Sequence, residues 1–340
     1  MSTSTTSAQQ PNPAIIFDTL NAYQRSFALK TAIEYDVFTE IGRGNNTVDA
    51  IANITGASAR GLRILCDFLV INGLLAKTDD HYNLTIDSAA FLDRKSPAYF
   101  GAAAEFLLDE RLIGPFLNLR EVVRTGRTTL PGEGIVSTDN PLWIHFARQM
   151  AEMMYPAALE IAELIDTGGP LRVLDIAAGH GLFGIVIAQR NPEVRITALD
   201  WPNVVAVATE NAEKFGVADR HTVLPGDAFQ VDFGGPYDLV LVTNFLHHFD
   251  QPTCEKLMRK IHAALTVGGR CVNLEFVPNE DRVSPPTAAA FAMMMLGTTV
   301  TGDVYTFGEY EAMFRNAGFS STEIRSLTRS PQAITISTKA

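Results

Sequence analysis

The chain has 340 residues, 46% of them apolar, enough to bury a large core and, at ~100–200 residues per domain, to form two domains. A formal charge of −11 argues against a nucleic-acid partner, because binding a phosphate backbone relies on lysines and arginines that release counterions. Three cysteines, far apart and without a C-x-x-C pair, exclude a disulfide framework and suit a reducing compartment.

Residues 1–13 read as a disordered Ser/Thr/Gln-rich tail that lacks the basic and apolar regions of a signal peptide. The apolar runs elsewhere stop short of the ~18 residues that a membrane span needs, so no membrane partner is expected and the expected location is cytoplasmic. Residues 14–96 read as a winged-helix-like domain, helical throughout except for a wing in "AKTDDHYNLTI". Thr47 and Ser58 precede apolar-periodic runs as helix caps, Gly56 ends the first of these helices, and Leu62, Leu65, Leu69 and Ile71 are expected to form an apolar face. Such a module can bind DNA, but between Thr47 and Lys95 acids outnumber bases, which favours a packing and subunit-contact role. Phe17, Leu20, Tyr23, Phe27, Leu29, Ile33 and Phe38 make this domain too apolar to bury its own surface, so a second copy of the chain is expected to cover it.

Residues 97–167 read as a helical linker and pocket-forming region, interrupted by "TGRTTLPGEGIVSTDN". From 168 to 340 strands alternate with helices: strands at 172–176, 194–199, 221–224, 237–243 and 270–276, with helices between them. That order predicts an α/β, Rossmann-like domain with a mostly parallel sheet covered on both faces. "STEIRSLTRSPQAITISTK" then predicts a C-terminal antiparallel hairpin.

The stretch "VLDIAAGHGLFGIVIAQRNP" is strand, glycine turn and helix, and Gly179, Gly181 and Gly184 spell G-x-G-x-x-G. In the dinucleotide fingerprint the first glycine follows its strand almost at once, whereas here Asp175 closes the strand ahead of the glycines. A carboxylate there suits an ammonium group and opposes a pyrophosphate. Asp200 ends the next strand, positioned to accept from ribose hydroxyls, and Asp227 in "PGDAF" ends the one after, positioned to accept from an adenine amino group. Three acids at successive strand ends fit an adenosine with an amino-acid tail and no phosphate, which is S-adenosylmethionine.

These residues resemble the class I S-adenosylmethionine-dependent methyltransferases, and among them the O-methyltransferases of the caffeic acid, acetylserotonin and carminomycin type. The resemblance runs from about Ala14 through "ALDWPNV", "PGDAF", "NFLHHFDQPTCEKLMRKIHAAL", "GGRCVNLEFVP" and "YTFGEYEAMFRNAGF". It implies an N-terminal winged-helix dimerisation domain and a homodimer. It also implies that Asp175, Gly179 and Gly181 line the methionine end of the cofactor and that Asp200 takes the ribose. Trp201 would flank the adenine, Asp227, Ala228 and Phe229 would bind its edge, Thr243 would add to the same site, and Met150 would touch the methylthio group.

Methyl transfer is an in-line displacement in which positioning does most of the work, and a hydroxyl acceptor gains from a nearby base. By the resemblance, His247, seven residues before Cys254, stands where the family has its catalytic histidine, and Glu275 is the acid that orients it. Val304 stands where the plant enzymes carry a second carboxylate, so the two-acid cage is incomplete. His247, His248 and Asp250 are expected to hold no metal, since adjacent residues project in different directions. The acceptor, a small molecule, is expected to meet Phe106, Phe245, Phe291, Met294 and Met295. Arg148 with Tyr155 would supply a cation if the acceptor were anionic. The expected activity is O-methylation. Methylation of sulfur or carbon, a ligand-sensing winged-helix regulator and an NAD-dependent oxidoreductase are the alternatives.

Overall fold

The computed structural model describes residues 11–138, 140–165 and 168–340, so residues 1–10 of the expected tail lie outside the described residues. The chain divides into two units, Met1–Ala104 and Glu105–Ala340.

The first unit contains α1 (Ala14–Glu34), α2 (Val37–Gly42), α3 (Val48–Thr55), α4 (Ala59–Ile71), β1 (Leu75–Thr78), β2 (His81–Leu84) and α5 (Ile86–Phe91). Thr47 and Ser58 cap α3 and α4 by accepting from the Ala50 and Gly61 amides, and Gly56 stops α3 in a left-handed conformation. β1 and β2 pair antiparallel as the expected wing, with Thr47 bridged to His81. Asp79, with a φ of 54°, turns the hairpin, and Leu75 of β1 and Tyr82 of β2 are the residues it buries. Ile33, Phe38, Ile51, Leu62, Cys66, Leu69 and Tyr82 form the core. Ile71, expected on the same face, is 80% exposed. At ~100° per residue it lies on the far side of α4 from Leu62, and Cys66 takes the inner position. Along α1, Ile15, Ile16, Phe17, Leu20, Tyr23 and Phe27 are between 45% and 73% exposed.

The short α6 (Ala103–Leu107) crosses the division and leads to α7 (Glu110–Leu117), α8 (Leu119–Thr125), α9 (Leu142–Gln149) and α10 (Ala151–Leu164). Next come β3 (Leu171–Ile176), α11 (Leu182–Arg190), β4 (Val194–Asp200), α12 (Pro202–Lys214), β5 (His221–Pro225), β6 (Tyr237–Thr243), α13 (Gln251–Ala264) and β7 (Leu265–Glu275). The chain closes with α14 (Pro286–Thr298), α15 (Phe307–Asn316), β8 (Ser321–Ser326) and β9 (Ala333–Thr338). Among the described residues no helix is long and apolar enough to cross a membrane.

The second unit is built on a seven-stranded sheet of order β5-β4-β3-β6-β7-β9-β8, with β9 antiparallel to both neighbours and the remaining pairs parallel. The period of two in the strands sorts side chains to opposite faces. Leu239 and Leu241 of β6 pack with α10 and α11, while Val240 and Val242 pack with α13 and α15. The chain starts the sheet at β3, winds out to β5, then returns to β6 on the other side. That reversal opens a crevice at the carboxyl ends of β3 and β6, where α/β sheets hold their ligands.

Candidate active site

A cavity of about 290 Å³ opens at this crevice, lined by residues that follow β3, β4, β5 and β6 and by Val136, Trp143 and Thr301 from outside the sheet. After β3 the backbone turns left-handed at Ala177, Gly179 and Gly181. Gly181 has φ 73°, and a Cβ there would stand 2.9 Å from that of Ala208, so both the turn and the approach of α12 demand glycine. The parallel pairing of β3, β4 and β5 brings three carboxylates to neighbouring strand ends.

Asp175 is fully buried. Its Oδ2 accepts from the Gly184 amide at 3.3 Å and its Oδ1 has no partner. Burial, together with the charge of Asp200, pushes its pKa up to about 8. Asp200 accepts from the Gly179 amide at 2.8 Å and from the Trp201 amide at 2.7 Å, and burial raises it to about 6. Asp227 accepts from the Phe229 amide at 2.8 Å. Lys260 secures the loop between Asp227 and Val231 by donating to the Ala228 and Val231 carbonyls. Gly179, Asp200, Trp201, Asp227, Ala228, Phe229, Thr243 and Phe245 all line the cavity, while Asp175, Gly181 and Met150 lie behind its surface.

Among the described residues no lysine or arginine lines this cavity, whereas Glu133, Asp200 and Asp227 do. A pyrophosphate would meet only like charge there. A cationic adenosine derivative meets free lone pairs on Asp200 and Asp227, with the unpaired carboxylate oxygen of Asp175 buried behind them, so the residues present fit S-adenosylmethionine.

On the other side of the crevice, Glu275 at the end of β7 is fully buried and its Oε2 lies 2.5 Å from His247 Nδ1. Phe291 meets the His247 ring edge-on at 5.0 Å. Val304 is buried, and Glu275 is the carboxylate bonded to His247 among the described residues. Asp250 caps α13 by accepting from the Thr253 amide.

Among the remaining expected contacts, Phe106 packs edge-on against Phe146 at 5.2 Å. Phe291, Met294 and Met295 sit on α14 without reaching the cavity surface. Arg148 does not supply a pocket cation. Its guanidinium makes a forked, half-exposed pair with Glu210 of α12, because at ~100° per residue it lies ~200° round α9 from Phe146, which faces Gly179. Tyr155 stacks on Phe215 instead of joining it.

Among the cavity residues that the sequence does not single out for the site are Trp143, Phe146, Asn244 and His248. The Trp143–Phe146 pair, spaced three apart on α9, is a signal that could have been used. Asn244 holds φ 55° at the end of β6 and bonds Gln332 through its side chain. A strap over 126–138 lends Glu133, Val136 and Thr138 to the cavity lining. Thr128 bonds the Gly297 and Thr299 carbonyls, and Asn140 and Trp143 both donate to the Ile135 carbonyl.

A family model described as an O-methyltransferase domain matches residues 118–320, and one described as an O-methyltransferase dimerisation domain matches 17–94. The tetracenomycin polyketide synthesis 8-O-methyl transferase of Streptomyces glaucescens is 27% identical over 332 residues, covering 96% of this chain and 97% of its own. The 3-hydroxy-5-methyl-1-naphthoate 3-O-methyltransferase of Streptomyces sahachiroi is 27% identical, covering 93% and 91%. Among solved structures, a putative O-methyltransferase of Nostoc punctiforme is 49% identical with a TM-score of 0.94, covering 97% of this chain and 100% of that one. The human N-acetylserotonin methyltransferase, solved with S-adenosylmethionine, shares the fold at a TM-score of 0.85 and 22% identity, covering 98% and 99%. A glycine turn walled by acids, a buried histidine–carboxylate pair and these two matched domains leave no place for the regulator or the NAD enzyme. The chain belongs to the O-methyltransferase family, as an S-adenosylmethionine-dependent methyltransferase of small molecules whose N-terminal unit is that family's dimerisation domain.

Proposed function

We propose that the enzyme methylates a hydroxyl on an aromatic small molecule, with His247 taking the hydroxyl proton. The observation that carries this reading is the buried His247–Glu275 pair. A carboxylate on Nδ1 holds the imidazole in the tautomer whose Nε2 lone pair is free to accept a proton, and it stabilises the cation that results. Bound S-adenosylmethionine supplies an electrophilic methyl group and its own leaving group. The chain's residues do the rest. Asp175 balances the cofactor's ammonium, Asp200 accepts from its ribose, and Asp227 with Phe229 holds the adenine edge. Trp201, Ala228 and Thr243 close around it, with Gly179, Gly181 and Met150 shaping the methionine end. Phe245 supplies apolar surface towards the acceptor, backed by Phe106 behind Phe146 and by Phe291 of α14 against the His247 ring, with Met294 and Met295 on the same helix.

Two relatives named for a naphthoate and for a polyketide support an aromatic acceptor. The reading includes a cytoplasmic location, supported by three buried free thiols. Incubating the purified dimer with methyl-labelled cofactor and a small-molecule extract, then identifying the labelled product, tests it. A label found on sulfur or carbon would overturn the hydroxyl assignment.

A further inference from the structure

His248 follows the proposed base, lines the cavity and takes no part in the pair with Glu275. It is 6% exposed. Its Nδ1 is buried without a partner, and no described residue bonds its Nε2. Trp143 lies against the ring at 5.2 Å with the planes tilted by 33°, and the ring of His247 is 4.2 Å away. The backbone beneath is fixed too. Asp303 donates to the His247 carbonyl at 3.0 Å, and a Cβ on Gly302 would fall 2.4 Å from that oxygen. An enclosed polar atom without a partner costs ~1–3 kcal/mol, so the ring's hydrogen is better placed on the open Nε2 than on the enclosed Nδ1.

Burial and the neighbouring His247 hold the His248 pKa well below its ordinary value, so the ring is neutral and carries one N–H. On the enclosed Nδ1 that hydrogen would stay unpaired whatever the cavity held, whereas on Nε2 it is available to a bound molecule.

We propose that His248 is a specificity-determining donor that reads a neutral carbonyl oxygen beside the hydroxyl being methylated, so that the acceptor class is a planar o-hydroxyaryl ketone, ester or quinone. This rests on the hydroxyl-methylation reading above. His247 lies just behind the cavity lining with its ring 4.2 Å from that of His248, a separation that suits two oxygens one hydrogen bond apart, ~2.5–3.0 Å, as a phenol and its ortho carbonyl are. In such a phenol the hydroxyl hydrogen is tied up by its own carbonyl. Donation from His248 to that carbonyl competes for the acceptor lone pair and frees the hydroxyl proton for His247. Trp143, Phe245, Phe249, Val136 and Val300 give the flat apolar walls an aromatic ring needs. A carboxylate in place of the neutral carbonyl is disfavoured by Glu133, Asp200 and Asp227, with no lysine or arginine lining the cavity among the described residues.

The test is calorimetric binding of 2-naphthol, 1-acetyl-2-naphthol and 2-hydroxy-1-naphthoate to the dimer loaded with S-adenosylhomocysteine. The native protein should bind the acetyl compound about five- to tenfold more tightly than 2-naphthol, the worth of one neutral hydrogen bond, and should gain nothing from the carboxylate. His248→Phe should bring the acetyl preference to within about twofold, while His248→Gln, which keeps an N–H, should retain most of it. The proposal is overturned if His248→Phe keeps the preference, if the native protein shows none or binds no naphthol, or if the carboxylate binds best. Failure of the hydroxyl-methylation reading is distinct. It would appear as an intact binding preference with no label transferred to any naphthol hydroxyl from labelled cofactor.

Discussion

Glu275 holds His247 at two levels: Oε2 meets the ring Nδ1 at 2.5 Å, while Oε1 accepts the backbone N–H groups of Phe245 and His247 at 3.1 and 3.3 Å. Ring and backbone are therefore set by one carboxylate. On a hydroxyl acceptor His247→Gln should lower kcat by ~10²–10⁴, and Glu275→Gln, which leaves the imidazole without its charged partner, by ~10–100-fold. Calorimetry should find cofactor affinity nearly unchanged in both. Near-native kcat in His247→Gln would remove the base assignment and favour a thioether acceptor, which has no proton to lose.

Cofactor binding should depend on pH through Asp175 and Asp200. Both carboxyls are raised in the folded chain, to about 8 and about 6. For a folded value above the unfolded one, the stability contribution is complete below the unfolded value near pH 4. It is lost as pH rises through 6 and then 8. The melting temperature of the free enzyme should therefore fall across that window. A cationic ligand reverses the burden by favouring the ionised forms, so its affinity should rise over the same range, with protons released. Titrations in buffers of different ionisation enthalpy would reveal the release, and identical heats in every buffer would rule it out.

Asp175→Asn separates folding from binding at that position. The amide avoids a buried charge and keeps an oxygen for the Gly184 amide, so the free protein should melt higher at pH 8 than the native one. Its affinity for S-adenosylmethionine should fall at least tenfold, about the worth of one charge-assisted contact. Thermal melts with and without cofactor, run side by side, would decide it.

The strap should depend on Gly134. Its φ is 68°, and a Cβ would fall 2.4 Å from the Thr298 carbonyl oxygen. Gly134→Ala thus meets backbone strain and a clash against main chain, and urea unfolding should show a loss of about 2–4 kcal/mol.

The exposed apolar face of α1 predicts that Phe17→Glu with Leu20→Glu separates the dimer. Light scattering should fall from twice the 37.0 kDa chain mass towards that of one chain. An unchanged dimer would assign the interface elsewhere.

The strands were legible because their signal is local. The apolar runs at 173–176 and 237–243 are bounded by turn residues, and the structure places β3 and β6 there. β7 begins earlier than Arg270, at Leu265, since Gly268 and Gly269 read as a turn while pairing with β6 carries the strand through a register shift. The acids at the strand ends were legible for the same local reason. Arg148 was misjudged because nearness in sequence to Met150 says nothing about which side of α9 it leaves from. His248 was weighed only as a metal ligand, since the lack of a partner on a ring nitrogen is a property of the packed cavity and leaves no mark in the sequence.

The reversal of the chain at β3 and β6 divides the enzyme's tasks between separate stretches of its gene. The acids proposed to meet the cofactor lie at the ends of β3 and β4 and just after β5, whereas the histidines follow β6 and Glu275 ends β7. Substitution after β6, in α14 or in the strap can redirect the enzyme to a new acceptor while the methyl donor's own contacts stay untouched. A scaffold divided this way is well suited to diversification, because a lineage can explore new products without first losing its reagent.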